Sequence, residues 1–107
     1  MRKAEIFLFN RKAGLLEERE GDYAFAYDSS YLKDEKAEPI ALEMPLRPEP
    51  YVEKWLHPFF DGLIPEGWLL DIAEDTWKIN PRDRFGLLLA CCRDCIGAVS
   101  VREISDE

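Results

Sequence analysis

This sequence predicts an α+β fold, a small curled antiparallel sheet packed with short helices. Three observations predict it. The first 27 residues carry β-rich alternation broken by turn formers, residues 65–76 and 80–92 shift to a period near 3.6, and residues 98–104 alternate again.

Residues 4–9, Ala-Glu-Ile-Phe-Leu-Phe, read as a first strand bounded by a turn at 10–14, after which 15–19 returns as a second. Glu20-Gly21-Asp22 supplies the next turn. Tyr23, Phe25 and Tyr27 follow at every second position, which puts the three rings on one face of a third strand. Asp28-Ser29-Ser30 starts a helical turn through Leu32, and residues 39–44 read as a fourth strand ended by Pro45. The three prolines of residues 45–50 make a stiff loop. Beyond it, Pro65 suits a first helical turn, with Leu69, Ile72, Ala73 and Thr76 on one face. Asn80 reads as the cap of a second helix, with Asp83 in its first turn and Phe85, Leu88, Leu89 and Cys92 facing inward. Gly97 permits the reversal into the last strand.

A length of 107 residues suits one domain, 1–107, and 47% apolar with 34% charged residues is the composition of a folded globule. The net charge of −8 argues against binding a phosphate backbone, which depends on Lys and Arg releasing counterions. The acidic excess serves solubility or draws a basic partner surface. No apolar run approaches the roughly 20 residues that a bilayer demands, and no signal-peptide pattern opens the chain, so the expected location is cytoplasmic.

Cys91, Cys92 and Cys95 include one C-x-x-C pair, but a structural zinc would need all three together with His57, the one histidine. The pair also follows a helix, away from the dipole end that activates a thiol. These cysteines therefore read as packed thiols, and His57 as structural or solvated. Trp55 and Trp77 border apolar clusters and read as core residues. Phe59 and Phe60 read as one core anchor and one edge contact, and Asp61 and Glu66 as turn and capping groups. No catalytic residue, metal or cofactor is expected.

Three segments together resemble the N-terminal subdomain of HipA-type serine/threonine kinases of bacterial toxin–antitoxin systems. They are Phe59-Phe60-Asp61-Gly62-Leu63-Ile64-Pro65-Glu66-Gly67, Phe85-Gly86-Leu87-Leu88, and Gly97-Ala98-Val99 preceded by Arg93-Asp94-Cys95-Ile96. Gly14-x-Leu16 and residues 39–42 ahead of Pro45-Leu46 extend the likeness over nearly the whole chain. In those kinases the subdomain precedes the catalytic body and carries no ATP site. Asp83-Arg84-Phe85-Gly86 has one residue too many for a metal-binding Asp-Phe-Gly, and Cys92-Arg93-Asp94 lacks the Asn that a catalytic loop requires. The expectation is a non-enzyme.

The resemblance further implies a HipS-type antitoxin of the three-part systems, which binds a separately encoded HipT-type kinase alongside a HipB-like DNA-binding protein. In a helix over 65–76, Trp68 lies about 90° from the core-facing centre, with Asp71 and Asp75 on its side. Large aromatics at such positions anchor interfaces. The expected contact is therefore Gly67, Trp68, Leu69, Asp71 and Asp75, with Glu74 adding negative charge towards basic phosphate-binding groups. Two alternatives compete with inhibition: a subunit that completes a shortened kinase, and a thiol or zinc enzyme built on the cysteines and His57.

Overall fold

The computed structural model describes residues 2–64, 83–91 and 98–104. Strands β1 (Lys3–Leu8), β2 (Arg11–Arg19) and β3 (Asp22–Tyr27) form an antiparallel meander. A single turn of helix, α1 (Ser29–Leu32), follows, then β4 (Tyr51–Glu53), α2 (Pro58–Asp61), α3 (Arg84–Cys91) and β5 (Val99–Ile104). Among the described residues the sheet has five strands in the order β4-β3-β2-β1-β5, every neighbour antiparallel.

Alternation along β1 works as expected: Ala4, Ile6 and Leu8 are buried, and Lys3, Glu5 and Phe7 are half-buried on the other face. Between β1 and β2 the register slips, with Ile6 opposite Gly14 but Phe7 opposite Lys12. Ala13 is the extra residue of this bulge, and its carbonyl accepts from Asp28 N–H at 2.8 Å instead of a ladder partner. The turn itself is tighter than the predicted 10–14. Leu8 pairs with Arg11, so only Phe9 and Asn10 lie between the strands, both at positive φ, 50° and 67°. Two left-handed residues match the right-handed twist of the flanking strands. Asn tolerates that conformation; a bulky Phe does not do so cheaply.

The fourth strand is not at residues 39–44. Tyr27 Oη donates to the Met44 carbonyl and accepts from Ile40 N–H at 3.0 Å. A side chain thus satisfies backbone groups that a ladder would have used, and the segment bends to bury Ile40 and Met44 while Leu42 stays exposed. Tyr51–Glu53 takes the edge beside β3 instead, pairing Tyr51 with Phe25. The loop at 45–50 is as expected, cross-braced by Arg47, whose guanidinium lies 3.7 Å from the Tyr51 ring centre and donates to the carbonyls of Glu49 and Pro50.

Sheet and helices share one core, in which Phe25, Phe60, Phe85, Leu16, Met44 and Leu88 are buried. Phe25 meets Phe60 at 5.5 Å between ring centres, and Tyr23 stacks on Phe85 at 6.1 Å. Gly14 makes this packing possible: a Cβ there would stand 2.3 Å from the Ala26 carbonyl oxygen and 2.9 Å from the Phe25 ring.

Candidate partner-binding site

Residues Gly67, Trp68, Leu69, Asp71, Glu74 and Asp75, the predicted contact, lie outside the described residues, as do Glu66, Trp77, Asn80, Cys92 and Cys95. The structure describes the frame on either side of them. On the upstream side, His57 caps α2 with Nδ1 accepting from Phe59 N–H at 3.0 Å, and Pro58 at the first helical position gives up no hydrogen bond there. Phe60 drives fully into the core while Phe59 lies half-buried against it, ring centres 5.3 Å apart. Gly62 closes the turn through its N–H to the Pro58 carbonyl at 2.9 Å, and Ile64 is again buried.

On the downstream side, Asp83 caps α3: its Oδ1 accepts from Gly86 N–H at 3.1 Å and its carbonyl from Leu87 N–H at 3.0 Å. Asp83 also receives the Arg2 guanidinium through two bonds of 2.8 Å, and Arg2 extends the same fork to Glu18 at 2.8 and 2.7 Å. The plane of Arg2 lies 5.2 Å from the Phe85 ring centre. Hydrogen bonds from Arg2 hold the Glu18 and Asp83 carboxyls below their usual range. A Cβ at Gly86 would stand 2.4 Å from Asp83 Oδ2 and 3.1 Å from Arg2, so the glycine leaves room for the fork. Across the frame, Arg84 Nε donates to Asp61 Oδ1 at 2.6 Å, joining the first residue of α3 to the last of α2.

Asp61, expected as a turn or capping group, instead pairs its carboxylate with Arg84. The expectations of one core anchor and one edge contact at Phe59 and Phe60, and of a structural or solvated His57, agree with this geometry. Trp55 does not. It is 77% exposed, because Leu56 takes the inward position after β4 and leaves its neighbour pointing out. Phe9 is 67% exposed at the β1–β2 turn, a further surface aromatic that sequence reading absorbed into a strand. Among the described residues, no three His, Cys, Asp or Glu side chains come together as metal ligands, and no helix is long and apolar enough to cross a membrane.

Sheet, short helices and ion-paired frame define a small α+β domain in which the resembling motifs do structural work: Gly14, Phe60 and Gly86 each permit a close approach or fill the core. The chain belongs to the HipA N-terminal domain family, whose model matches residues 4–102. It aligns along its whole length with a solved structure of the N-terminal domain of HipA toxin, covering 96% of that chain at a TM-score of 0.76 and 27% identity. An "Uncharacterized protein" of Haemophilus influenzae is 31% identical over 96% of this chain and 93% of its own length. Two Sinorhizobium fredii proteins, "Putative kinase Y4mE" and "Putative kinase Y4dM", are each 33% identical over 79% and 78% of this chain. The chain spans only 20% and 22% of those two kinases. Its fold thus relates it to the HipA toxin system.

Proposed function

We propose that this chain is a HipS-like antitoxin: a non-catalytic protein that binds a separately encoded HipT- or HipA-like serine/threonine kinase and inhibits it through Trp68 at or near the active site. The observation that carries this reading is that the domain occurs in two settings. It makes up nearly all of the Haemophilus influenzae relative, yet about a fifth of each Sinorhizobium fredii kinase. A domain that works inside a kinase and is also found without one is suited to act on a kinase in trans. Gly67 and Leu69 flank the anchor in sequence, and the carboxylates of Asp71 and Asp75 would face phosphate-binding cations. A HipB-like DNA-binding protein would join the larger complex. The cytoplasm, where such a kinase acts, is its proposed location.

Autophosphorylation of a HipT- or HipA-like kinase from the same organism, measured with and without the purified protein, tests the reading. Inhibition by stoichiometric wild-type protein is expected, and Trp68→Ala should weaken binding by about 2–4 kcal/mol with the thermal midpoint of the free protein little changed. A second reading is favoured by the two kinase relatives, in which the domain is part of the enzyme: a subunit that completes a shortened kinase. Stimulation rather than inhibition in the same assay would select it.

A further inference from the structure

Burying an indole is one of the larger gains open to a small domain, yet Trp55 is left in solvent. The backbone that carries it is not loose. Just before it, β4 is fixed on β3 by the pairs Tyr51–Phe25 and Glu53–Tyr23, and just after it Leu56 is buried. Held on both sides, the chain at Trp55 has little backbone freedom left to lose when the ring is used as a contact.

Lys54, the residue before it, lines an open cleft of about 320 Å³ together with Glu18, Arg19, Gly21, Asp22 and Tyr23. The acids of this cleft are already engaged. Glu18 accepts from Arg2 at 2.8 and 2.7 Å, and Asp22 from Arg19 at 2.6 and 3.0 Å. Among the described residues, Lys54 has no carboxylate partner and the Tyr23 hydroxyl no hydrogen bond. Gly21 leaves open space where a side chain would stand, so the mouth is clear. The cleft therefore offers a ligand one ammonium and one hydroxyl, next in the chain to an exposed indole. These groups match a carboxylate beside an apolar side chain. A second copy of this chain meeting the surface by two-fold symmetry would set Lys54 against Lys54, so the fitting partner is a different protein. In the two Sinorhizobium fredii kinases the matched part is about a fifth of the chain, and the remainder of each enzyme is available to lie against it in cis.

We propose that Trp55 and Lys54 form a second kinase-docking surface, on which Trp55 packs against an apolar residue of the kinase while Lys54 and the Tyr23 hydroxyl bind a carboxylate beside it; this rests on the kinase-binding reading above. It adds to the contact expected around Trp68 one that lies on the described frame.

The test measures the affinity of the full chain for a HipT- or HipA-like kinase from the same organism by titration calorimetry, with the thermal midpoint of each free variant. The variants are Trp55→Ala, Lys54→Glu, Trp68→Ala and, as a control of equal charge change, Lys36→Glu, an exposed lysine outside the cleft. Trp55→Ala should bind at least about tenfold more weakly with melting unchanged, as a truncated interface anchor does. Lys54→Glu should lose about tenfold at low salt, a loss that shrinks as salt screens it, while Lys36→Glu stays within about twofold of wild type. Wild-type affinity in Trp55→Ala or Lys54→Glu, an equal loss in Lys36→Glu, or affinity lost only together with melting temperature would each overturn the surface. If Trp68→Ala alone weakens binding, the antitoxin reading stands and the second surface falls. A wild-type protein that binds no kinase defeats both.

Discussion

Replacing Arg2 with Met removes the group that ties the start of β1 to the cap of α3, 81 residues away in sequence. Four charge-assisted hydrogen bonds are lost, two to Glu18 and two to Asp83, together with the cation lying over Phe85. Glu18 and Asp83 are then left as like charges without the cation between them. Isolated exposed pairs contribute little, but this fork is bidentate to two carboxylates and its side chains are 34%, 26% and 32% exposed. Discounting the bonds for that remaining solvent, the substitution should cost about 2 kcal/mol. For a domain of this size that lowers the thermal midpoint by about 10 °C. Arg2→Lys should lose most of the same energy, since an ammonium cannot reproduce the planar fork. Acid carries a second signature. Because Arg2 holds Glu18 and Asp83 below their usual range, the folded state binds fewer protons than the unfolded state as pH falls through that range. The stabilisation is complete above the unfolded carboxylate pKa, near about pH 4, and is lost as pH drops through the depressed folded values. Circular dichroism melts of wild type and Arg2→Met, taken from neutral pH down to about pH 2, should therefore converge at the acid end. A neutral-pH difference below about 0.5 kcal/mol, or a difference that does not shrink in acid, would refute the latch.

Gly14→Ala should destabilise the fold by about 2–3 kcal/mol in denaturant titration, because the added methyl meets the Ala26 carbonyl oxygen at 2.3 Å. Phe9→Gly should raise the melting temperature, by about 1 kcal/mol of relieved strain at φ 50°; a loss would mean that the exposed ring packs in a way its surface area conceals. Trp55→Ala should change stability by no more than about 0.5 kcal/mol in the same titration, as suits a side chain 77% exposed.

Much of the fold was legible in residue order because local pattern reports which side of an element is apolar. The alternation of residues 4–9, the aromatic spacing of Tyr23, Phe25 and Tyr27, the helical face at Phe85, Leu88 and Leu89, and the final strand all depend on neighbours a few positions apart. The candidate contact was legible only through resemblance and the oddity of a tryptophan at position 68. The described frame lies to either side of it, and what holds that frame is long-range. Nothing local marks Arg84 as the partner of Asp61, or Arg2 as the partner of Asp83.

Sequence by itself determined the α+β class, the three-strand meander, α1, the inward Phe85, Leu88 and Leu89 of α3 and the family to which the chain belongs. Tertiary structure alone decided that β5 lies beside β1, that Tyr51–Glu53 rather than residues 39–44 forms the edge strand, and that Trp55 faces solvent. Periodicity says that a face must be covered without saying by what. Where one distant side chain, such as Tyr27, can satisfy the backbone of an apolar segment, the ladder that local propensity favours gives way to the bend that buries Ile40 and Met44.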